Sequence, residues 1–351
     1  MTHQIKGTHR RGVFREGDRV QLSDAYGKMH TIILQAGGWF NVYKASFSHD
    51  LLLGQPEGTV VTSREGKQFL ALRPLRTDYQ LSMPRGATIV YPKDVGAIVQ
   101  HGDIFSGAKV LEAGAGSGSL SIGLLEAVGE GGKVVSCEKR DDFAQIAQAN
   151  VELYFGGPHP AWELIVGNLG DIAAEQLEHS FDRVILDMLD PWNYIDTAWN
   201  VLIPGGVFMC YVTTVTQLSR LAEDIKATKH FSAPYAWESM QRTWHLDGLA
   251  VRPDHSMIGH TGFLLMTRSL AQGVVPPQKK QGIHKVHQEL PGQWDDEEGW
   301  NEQAAGQRII SKRKLKRITR DVTQRADRWL PKKGESHDED EPCAQKNEEL
   351  G

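Results

Sequence analysis

An apolar segment of the chain runs into a turn that contains three glycines at alternate positions. Residues 109–112 have a strand-like pattern, and Gly114, Gly116 and Gly118 follow them, directly ahead of an apolar-periodic helix. Glycine lets the backbone reverse tightly and lets a ligand approach without meeting a Cβ atom, and the helix start supplies unpaired N–H groups. The pattern predicts a nucleotide-type ligand site at the carboxyl end of a strand, with a ligand-free tight turn as the alternative.

An acidic residue ends the next predicted strand. Residues 133–137 are strand-like, and Glu138 follows them, 24 residues after Gly114. An acid at this place typically holds the hydroxyl pair of a ribose. The glycine pattern is G-x-G-x-G, with Glu112 two residues ahead of it. It resembles the S-adenosylmethionine loop of the Rossmann-like methyltransferases rather than the dinucleotide fingerprint.

The fourth predicted strand brings a second acid to the same edge of the sheet. Residues 181–186 are apolar in strand pattern, Asp187 ends them, and Asp190, Pro191 and Trp192 follow. A carboxylate at the carboxyl end of a parallel strand faces the ligand crevice, and the proline turns the chain away from the sheet. Amino-methyltransferases carry a related D/N-P-P-Y/W sequence here with different spacing, which holds the amine. We expect Trp192 to wall the pocket.

Length and composition bound the class of protein. The chain has 351 residues, enough for about two domains, and no apolar run approaches the ~20 residues of a membrane span. Residues 1–15 are basic and polar, so no secretory signal is expected. The three cysteines, Cys137, Cys210 and Cys343, form no metal or disulfide pattern, which favours a reducing cytoplasm. His255 and His260 lack a third ligand at useful spacing, so zinc is not expected.

Charge and periodicity divide the chain into three regions. Residues 1–85 carry 12 Lys/Arg against 7 Asp/Glu and read as a basic arm and a small β-rich domain of barrel or meander type. Residues 86–272 are acidic and alternate between helix and strand, which predicts an α/β domain with a mainly parallel, doubly covered sheet. Residues 273–351 carry charge in blocks without apolar period and read as a disordered tail. A basic accessory domain suggests a polyanionic partner, and scattered surface charge is the alternative.

The elements can be placed approximately. In the small domain, strands are predicted at 19–22, 31–34, 59–62 and 68–72, and residues 73–84 are predicted to be a linker. In the α/β domain, strands are predicted at 109–112, 133–137, 162–166, 181–187, 205–212 and 262–267, with another near 239–250. The predicted helices are 94–101, 119–128, 141–154, 194–202 and 215–228.

Two more segments complete a family resemblance. Residues 91–94 read Tyr-Pro-Lys-Asp, and residues 252–264 read RPDHSMIGHTGFL. Together with the glycine turn and the segment 187–192, they resemble the tRNA (adenine-N1)-methyltransferase family, which modifies adenine 58 in tRNA numbering. The resemblance covers about residues 15–272, and the actinobacterial branch is the most similar.

This resemblance implies a function and a set of site residues. It implies a class I Rossmann-like fold, S-adenosyl-L-methionine as cofactor, tRNA as substrate, assembly as a homotetramer, and an N-terminal domain that helps to grip tRNA. Asp187 and Tyr91 are the predicted catalytic residues. The predicted cofactor residues are Glu112, Gly114, Gly116, Ser117, Gly118, Ser119, Leu120, Glu138, Phe143, Asn168, Leu169, Gly170, Asp171 and Asp187. The residues predicted to face the base or the RNA are Tyr91, Trp192, Arg252, His255 and His260.

Other interpretations remain open at this level. A methyltransferase of another substrate, such as an isoaspartyl repair enzyme, would share the cofactor fold. A noncatalytic tRNA-binding subunit would have a decayed glycine turn and no catalytic acid. Residues 308–320 contain seven Lys/Arg, which fits either an RNA-binding segment or a solvated one. Whether adenine 57 is also methylated is not encoded in these motifs.

Overall fold

The computed structural model describes residues 10–86, 88–175 and 179–276, together with Arg313, Lys316, Arg317 and Arg320. Contacts divide the chain into the units Met1–Pro276 and Pro277–Gly351. The four described residues of the second unit are helical and exposed, and most of the segment predicted to be a disordered tail lies outside the described residues. Within the described ranges, no helix is long and apolar enough to span a bilayer.

A small β-rich domain comes first in the chain. The antiparallel sheet has the strand order β2-β1-β6-β5, and a separate β3–β4 hairpin covers it. The hairpin rings of Phe40 and Phe47 pack on Phe69 of the sheet. The four predicted strands are confirmed, and the hairpin strands β3 and β4 were not among the predicted ones. The strands are β1 (Arg19–Asp24), β2 (Met29–Ile33), β3 (Trp39–Val42), β4 (Ala45–Ser48), β5 (Thr59–Thr62) and β6 (Gln68–Leu72).

The segment predicted to link the two domains contains a short helix that the sequence pattern did not predict. Helix α1 spans Arg76–Ser82, and the Asp78 carboxylate accepts the Leu75 N–H at its start. Its Tyr79 side chain is buried in the core of the following domain. Two helical turns give almost no periodicity, and a helix this short is stable only through tertiary packing.

The following domain alternates helices and strands. Its helices are α2 (Pro92–His101), α3 (Ser119–Val128), α4 (Asp141–Phe155), α5 (Leu169–Glu175), α6 (Ile195–Val201) and α7 (Val215–Thr228). Its strands are β7 (Lys109–Ala113), β8 (Lys133–Glu138), β9 (Trp162–Val166), β10 (Phe181–Asp187), β11 (Leu202–Val212), β12 (Tyr235–Trp237), β13 (Trp244–Asp247), β14 (Ala250–Pro253) and β15 (Phe263–Arg268).

A seven-stranded sheet organises this domain, in the order β12-β15-β11-β10-β7-β8-β9. The strands from β11 to β9 are parallel, and β15 and β12 join antiparallel at one edge. Buried apolar clusters cover both faces. The Rossmann-like prediction is confirmed, because right-handed β-α-β connections place helices on both faces of such a sheet.

Two details differ from the predictions. A strand is present in the range predicted near 239–250, at Trp244–Asp247, but it pairs with β14 in a separate hairpin rather than in the main sheet, with a turn at Gly248, φ +52°. The helix predicted at 194–202 begins at Ile195, after a 3₁₀ turn over Pro191–Tyr194. Cys137 and Cys210 are buried free thiols, as predicted.

Helices α2 and α3 cross closely enough to make one glycine necessary. A Cβ atom on Gly123 would lie 2.3 Å from Val95 Cγ1, whereas one on Gly96 would meet nothing within 4 Å. Both positions are within helices. This crossing fixes the start of α2 relative to the glycine turn ahead of α3.

We expect Gly123→Ala to lower the free energy of unfolding by about 1–3 kcal/mol, because the added methyl overpacks the crossing. The matched control Gly96→Ala should leave stability unchanged or raise it by up to about 1 kcal/mol through helix propensity. Urea unfolding followed by circular dichroism measures both. Equal stability of the two variants would contradict this account of the crossing.

Candidate active site

The glycine turn is built against the end of β10. Gly114 has φ +89°, and a Cβ atom placed on it would lie 1.9 Å from the main-chain oxygen of Asp187. Its N–H donates to Cys137 O on β8 at 2.9 Å. The turn therefore joins three neighbouring strands at their carboxyl ends, and no larger residue fits at position 114.

The rest of the turn leaves main-chain groups open toward the crevice. Gly116 has φ +54°, and the nearest atom to a Cβ placed there is Gly114 O at 3.8 Å. Gly118, φ +83°, is the N-cap of α3. Ser119 Oγ donates to Val90 O at 2.9 Å. The turn thus presents a cradle lined by backbone at a helix N-terminus, where anionic or polar ligand groups are stabilised.

Glu112 is fully buried directly below the turn. One carboxylate oxygen accepts hydrogen bonds from Ser121 Oγ at 2.7 Å and Ser136 Oγ at 2.5 Å. The other oxygen, and Ser117 Oγ, are buried without a hydrogen-bond partner among the described residues. Burial raises the pKa of Glu112 to about 7, because a charged carboxylate is poorly stabilised in an apolar interior.

Glu138 ends β8 and is tied to the turn. Its carboxylate accepts the N–H of Gly116 at 2.9 Å and that of Arg140 at 3.0 Å. These bonds orient the carboxylate toward the cradle and leave acceptor capacity for hydroxyl groups. The geometry is compatible with a ribose-binding role, which stays a prediction.

Asp187 ends β10 beside the turn. Burial, together with repulsion from Glu112 and Glu138, raises the pKa of Asp187 to about 7. No hydrogen-bond donor from the described residues reaches its carboxylate, so it is free to accept one from a ligand. A carboxylate with a pKa near neutral pH can both accept a hydrogen bond and exchange a proton. The sheet thus gathers three carboxylates at one edge.

Tyr211 was not predicted as a site residue. It lies opposite Asp187 in the β10–β11 register, and a Cβ atom on Gly262 would lie 2.7 Å from its phenol oxygen. Burial raises the pKa of Tyr211, and the charges of Asp94 and Asp187 and the phenol of Tyr91 add to the effect. The tyrosine is therefore close to both predicted catalytic residues. The sheet-edge rule applied to β11 as well as to β10 would have found it.

The segment 252–264 is anchored to the start of α2. Thr261 Oγ1 donates to the buried Asp94 carboxylate at 2.6 Å, and Lys93 Nζ donates to Asp94 at 2.7 Å and to Thr261 at 2.6 Å. Lys93 is thereby paired with an acid rather than free for phosphate. Tyr91 is the N-cap residue of α2 and is half-buried.

His260 clamps the same segment to the sheet. Its Nδ1 is 2.9 Å from a Glu238 carboxylate oxygen, and its Nε2 is 3.0 Å from Thr213 O. Both ring nitrogens face acceptors, so both bonds form together only when the imidazole is protonated. These hydrogen bonds raise the pKa of His260.

The predicted adenine contacts lie after β8 and β9. Phe143 is buried with the Arg140 guanidinium 3.3 Å above its ring centre. Asn168 Oδ1 accepts a hydrogen bond from Tyr194 OH at 2.8 Å. Leu169 is buried, whereas Gly170 and Asp171 are partly or fully exposed at the start of α5. Leu120 is buried in the core, so only its main chain can face a ligand.

The remaining residues predicted to face RNA contact other side chains of this chain. Trp192 is half-buried beneath the Arg220 guanidinium, which lies 4.4 Å from its ring centre. Arg252 Nη1 lies 2.8 Å from His255 Nε2, and both side chains are exposed. Their roles toward RNA stay predictions.

Two sequence families match this chain. Residues 12–61 match the family described as TrmI-like N-terminal. Residues 70–247 match the family described as tRNA methyltransferase complex GCD14 subunit.

Characterised relatives are similar over most of their length. The tRNA (adenine(58)-N(1))-methyltransferase TrmI of Thermus thermophilus is 34% identical over 247 residues, which is 70% of this chain and 95% of the relative. The tRNA (adenine(57)-N(1)/adenine(58)-N(1))-methyltransferase TrmI of Methanocaldococcus jannaschii is 30% identical, covering 63% of this chain and 84% of the relative.

Solved structures give a matching result. A SAM-dependent O-methyltransferase from Thermotoga maritima has a TM-score of 0.69 and 28% identity, covering 76% of this chain and 98% of that one. The tRNA (m1A58) methyltransferase TrmI from Aquifex aeolicus has a TM-score of 0.65 and 27% identity, covering 74% and 100%. This chain belongs to the tRNA (adenine(58)-N(1))-methyltransferase family.

Proposed function

We propose that this chain transfers the methyl group of S-adenosyl-L-methionine to N1 of adenine 58 in the T loop of tRNA, with Asp187 as the catalytic carboxylate. The observation that carries this assignment is the contact between Asp187 and Gly114, which sets a carboxylate with a raised pKa at the mouth of the glycine cradle. Family membership supplies the substrate class.

The residues at the sheet edge fit the cofactor. Its sulfonium and ammonium groups are cationic, and Glu112, Glu138 and Asp187 supply three carboxylates at this edge. Ser117 Oγ is a buried hydroxyl without a partner among the described residues, and Gly116 leaves room at the cradle. When bound, the cofactor supplies an activated methyl group. We assign the methionine part to residues 117–120, the ribose to Glu138, and the adenine to Phe143 and the segment 168–171.

Asp187 would act on the incoming base. N1 of neutral adenine carries a lone pair, so catalysis depends mainly on positioning rather than on a strong base. Positive charge develops on the ring during transfer and makes the exocyclic N6 more acidic. The ionised Asp187 carboxylate can accept an N6–H hydrogen bond, stabilise this charge and take the proton.

We assign Tyr91 to the side of the incoming base. Its electrostatic coupling to Tyr211, which neighbours Asp187, supports a role beside the base. We place Trp192, Arg252, His255 and His260 toward the RNA. Adenine 58 must leave its stack before N1 becomes accessible, since that edge is paired in folded tRNA.

We propose three functional regions with the predicted boundaries. Residues 1–85 grip tRNA, residues 86–272 catalyse, and residues 273–351 form a charged tail. The excess of 12 Lys/Arg over 7 Asp/Glu in residues 1–85 supports an anionic partner. We also propose a cytoplasmic location, which the buried free thiols of Cys137 and Cys210 support.

A noncatalytic tRNA-binding subunit is less well supported. In this chain the glycine turn is intact: Gly114 is present at the position where a Cβ atom would lie 1.9 Å from Asp187 O. The catalytic acid, Asp187, is also present. A methyltransferase of another substrate is the remaining alternative, which the similarity to a SAM-dependent O-methyltransferase from Thermotoga maritima suggests. Product analysis separates these cases.

The β13–β14 hairpin supports assembly of several chains. Leu246 and Val251 are paired across the hairpin and are 74% and 57% exposed. Trp244 lies on the same face and is 54% exposed. An apolar hairpin face open to solvent is typical of an interface. We propose that the chain forms the homotetramer implied by its family resemblance and that this hairpin contributes to it.

Asp187→Asn should lower the rate of methyl transfer at least about 100-fold while changing S-adenosylmethionine affinity only a few-fold, because the carboxylate acts on the developing charge. The assay uses labelled cofactor, unmodified tRNA and nucleoside analysis. Asp190→Asn, at an exposed carboxylate three residues later, is the matched control and should retain activity. An active Asp187→Asn would refute the catalytic role.

A tRNA transcript with guanosine at position 58 should accept no methyl group. If the wild-type protein binds cofactor but forms no 1-methyladenosine in the T loop, the proposed function fails.

The affinity for S-adenosylmethionine should rise up to about tenfold relative to that for S-adenosylhomocysteine between pH 6 and pH 8. Glu112 and Asp187 have pKa values raised to about 7, so they are mostly neutral at pH 6 and mostly ionised at pH 8. Both molecules carry the ammonium group, so its gain cancels in the ratio, whereas only S-adenosylmethionine has the sulfonium charge that gains from the added negative charge. Glu112→Gln should flatten the trend in calorimetric titrations, and a ratio independent of pH in the wild type would contradict this electrostatic account.

The double variant Leu246→Glu/Val251→Glu should reduce the mass in solution from about four times 39.1 kDa, because charge opposes burial of the hairpin face. Light scattering after size exclusion measures the mass. Val60→Glu, at an apolar residue that is 54% exposed on β5, is the control and should leave the mass unchanged. A monomeric wild type would refute the tetramer, and an unchanged double variant would refute the hairpin's part in it.

A further inference from the structure

A cavity lined by arginines lies between the small β-rich domain and the methyltransferase domain. It has a volume of about 220 Å³, and its walls come from β1, the segment ahead of α1, α1 itself and the end of α4. The lining residues include Arg10, Arg19, Arg73 and Arg76. Neither the catalytic residues nor the cofactor residues line it.

Two carboxylates neutralise Arg73. Its Nη2 donates to Asp18 at 2.7 Å, and its Nη1 donates to Glu57 at 3.1 Å. The Arg73 side chain is 10% exposed, and its Nε is buried without a hydrogen-bond partner among the described residues. This Nε–H is buried from solvent, so it leaves Arg73 incompletely satisfied but is not itself exposed to the cavity.

One carboxylate is shared by the next two arginines. Glu126 accepts hydrogen bonds from Arg10, from Arg76 at 2.6 Å and from Tyr154 OH at 2.5 Å. A single negative charge therefore faces two guanidinium groups. This part of the wall retains positive charge.

Arg19 has no carboxylate partner in the described part of the chain. Its guanidinium lies 4.3 Å from the ring centre of Tyr79. Burial lowers the pKa of Arg19, yet a guanidinium stays charged at any physiological pH. The Tyr79 side chain also hydrogen-bonds to this guanidinium, but it carries no negative charge that would balance the half-buried cation. Such a cation is the kind of group that an anion stabilises.

The four arginines thus face the three carboxylates of Asp18, Glu57 and Glu126. The wall has an excess of positive charge, and the Arg19 guanidinium has no carboxylate partner among the described residues. Arginine presents its donors as a planar fork that matches a phosphate group.

We propose that this cavity binds a phosphate group, with Arg19 as its principal contact. A phosphodiester of RNA and the phosphate of a free nucleotide share this chemistry. The RNA source rests on the proposed function, whereas binding of free phosphate does not.

The cavity wall is connected to the glycine turn. Tyr79 OH donates to Asn150 O at 2.7 Å, and Asn150 Nδ2 donates to Ser117 O at 2.9 Å. Gln80, the next residue of α1, donates to Ser119 O at 2.7 Å. A phosphate held against Arg19 would therefore stabilise the helix that supports the cofactor turn.

The test compares Arg19→Gln with Arg64→Gln. Arg64 is a matched control, because its guanidinium is stacked 4.2 Å from the Trp39 ring centre on the same domain and does not line the cavity. Affinity for unmodified tRNA is measured over a range of salt concentrations, and methyl transfer is measured in parallel. In a second arm, inorganic pyrophosphate is titrated while the melting temperature is followed.

We expect Arg19→Gln to weaken tRNA binding about three- to tenfold and to reduce the salt slope by about 0.7–0.9, the loss of one phosphate contact. Arg64→Gln should retain the wild-type slope. Arg19→Lys should restore much of the slope, because it keeps the charge. If Arg19→Gln folds poorly, Arg19→Met gives the same test, since its straight apolar stem can still cover Tyr79.

The arms separate the sources of the phosphate. A salt slope changed by Arg19→Gln alone supports an RNA phosphodiester, and loss of a pyrophosphate-induced stabilisation in that variant supports a free phosphate. The proposal is overturned if Arg19→Gln changes neither the salt slope of tRNA binding nor the stabilisation by pyrophosphate. It is also overturned if Arg64→Gln changes these two quantities as much as Arg19→Gln does. Failure of the wild type to methylate tRNA would count against the proposed function. The pyrophosphate titration would then decide by itself whether the cavity binds phosphate.

Discussion

The contact between the main chains of Gly114 and Asp187 is the constraint on which the candidate site depends. With the two backbones this close, even a methyl group on residue 114 would overlap the Asp187 carbonyl oxygen. The contact sets the distance between the cofactor turn and the catalytic carboxylate without using any side chain. Because Gly114 directly follows β7 and Asp187 ends β10, two strands that are paired in one sheet, the sheet itself holds the two groups in place.

The same compactness has an electrostatic cost. Burial of Glu112 and Asp187 near Glu138 raises the pKa values of the first two to about 7. In the free protein, the ionised forms of these two carboxylates are therefore destabilised near neutral pH. A cationic ligand relieves that repulsion. The repulsion between the carboxylates therefore favours binding of a positively charged ligand. The hydrogen bonds from Ser121 and Ser136 to Glu112 offset only part of the free energy that burial of the carboxylate costs.

The sequence predicted the parts of the site that lie at ends of long, apolar strands. Glu138 and Asp187 were found because strand pattern and the sheet-edge rule place them. Tyr211 obeys the same rule but carries no charge, and it was overlooked. Helix α1 and the Lys93–Asp94–Thr261 network depend on contacts between segments far apart in the chain, which no local pattern encodes.

Helix α1 has a consequence for how the molecule is divided. It is tied to the glycine turn by Gln80, it covers the core of the catalytic domain with Tyr79, and Arg73 ahead of it is bound to Asp18 of the β-rich domain. A gene shortened to start at residue 86 would remove the side-chain donors, Gln80 and Tyr79, that bind carbonyl groups at the start of α3 and in α4. The smallest autonomous catalytic fragment thus starts ahead of α1, and heating should melt the β-rich and catalytic parts in a single calorimetric transition.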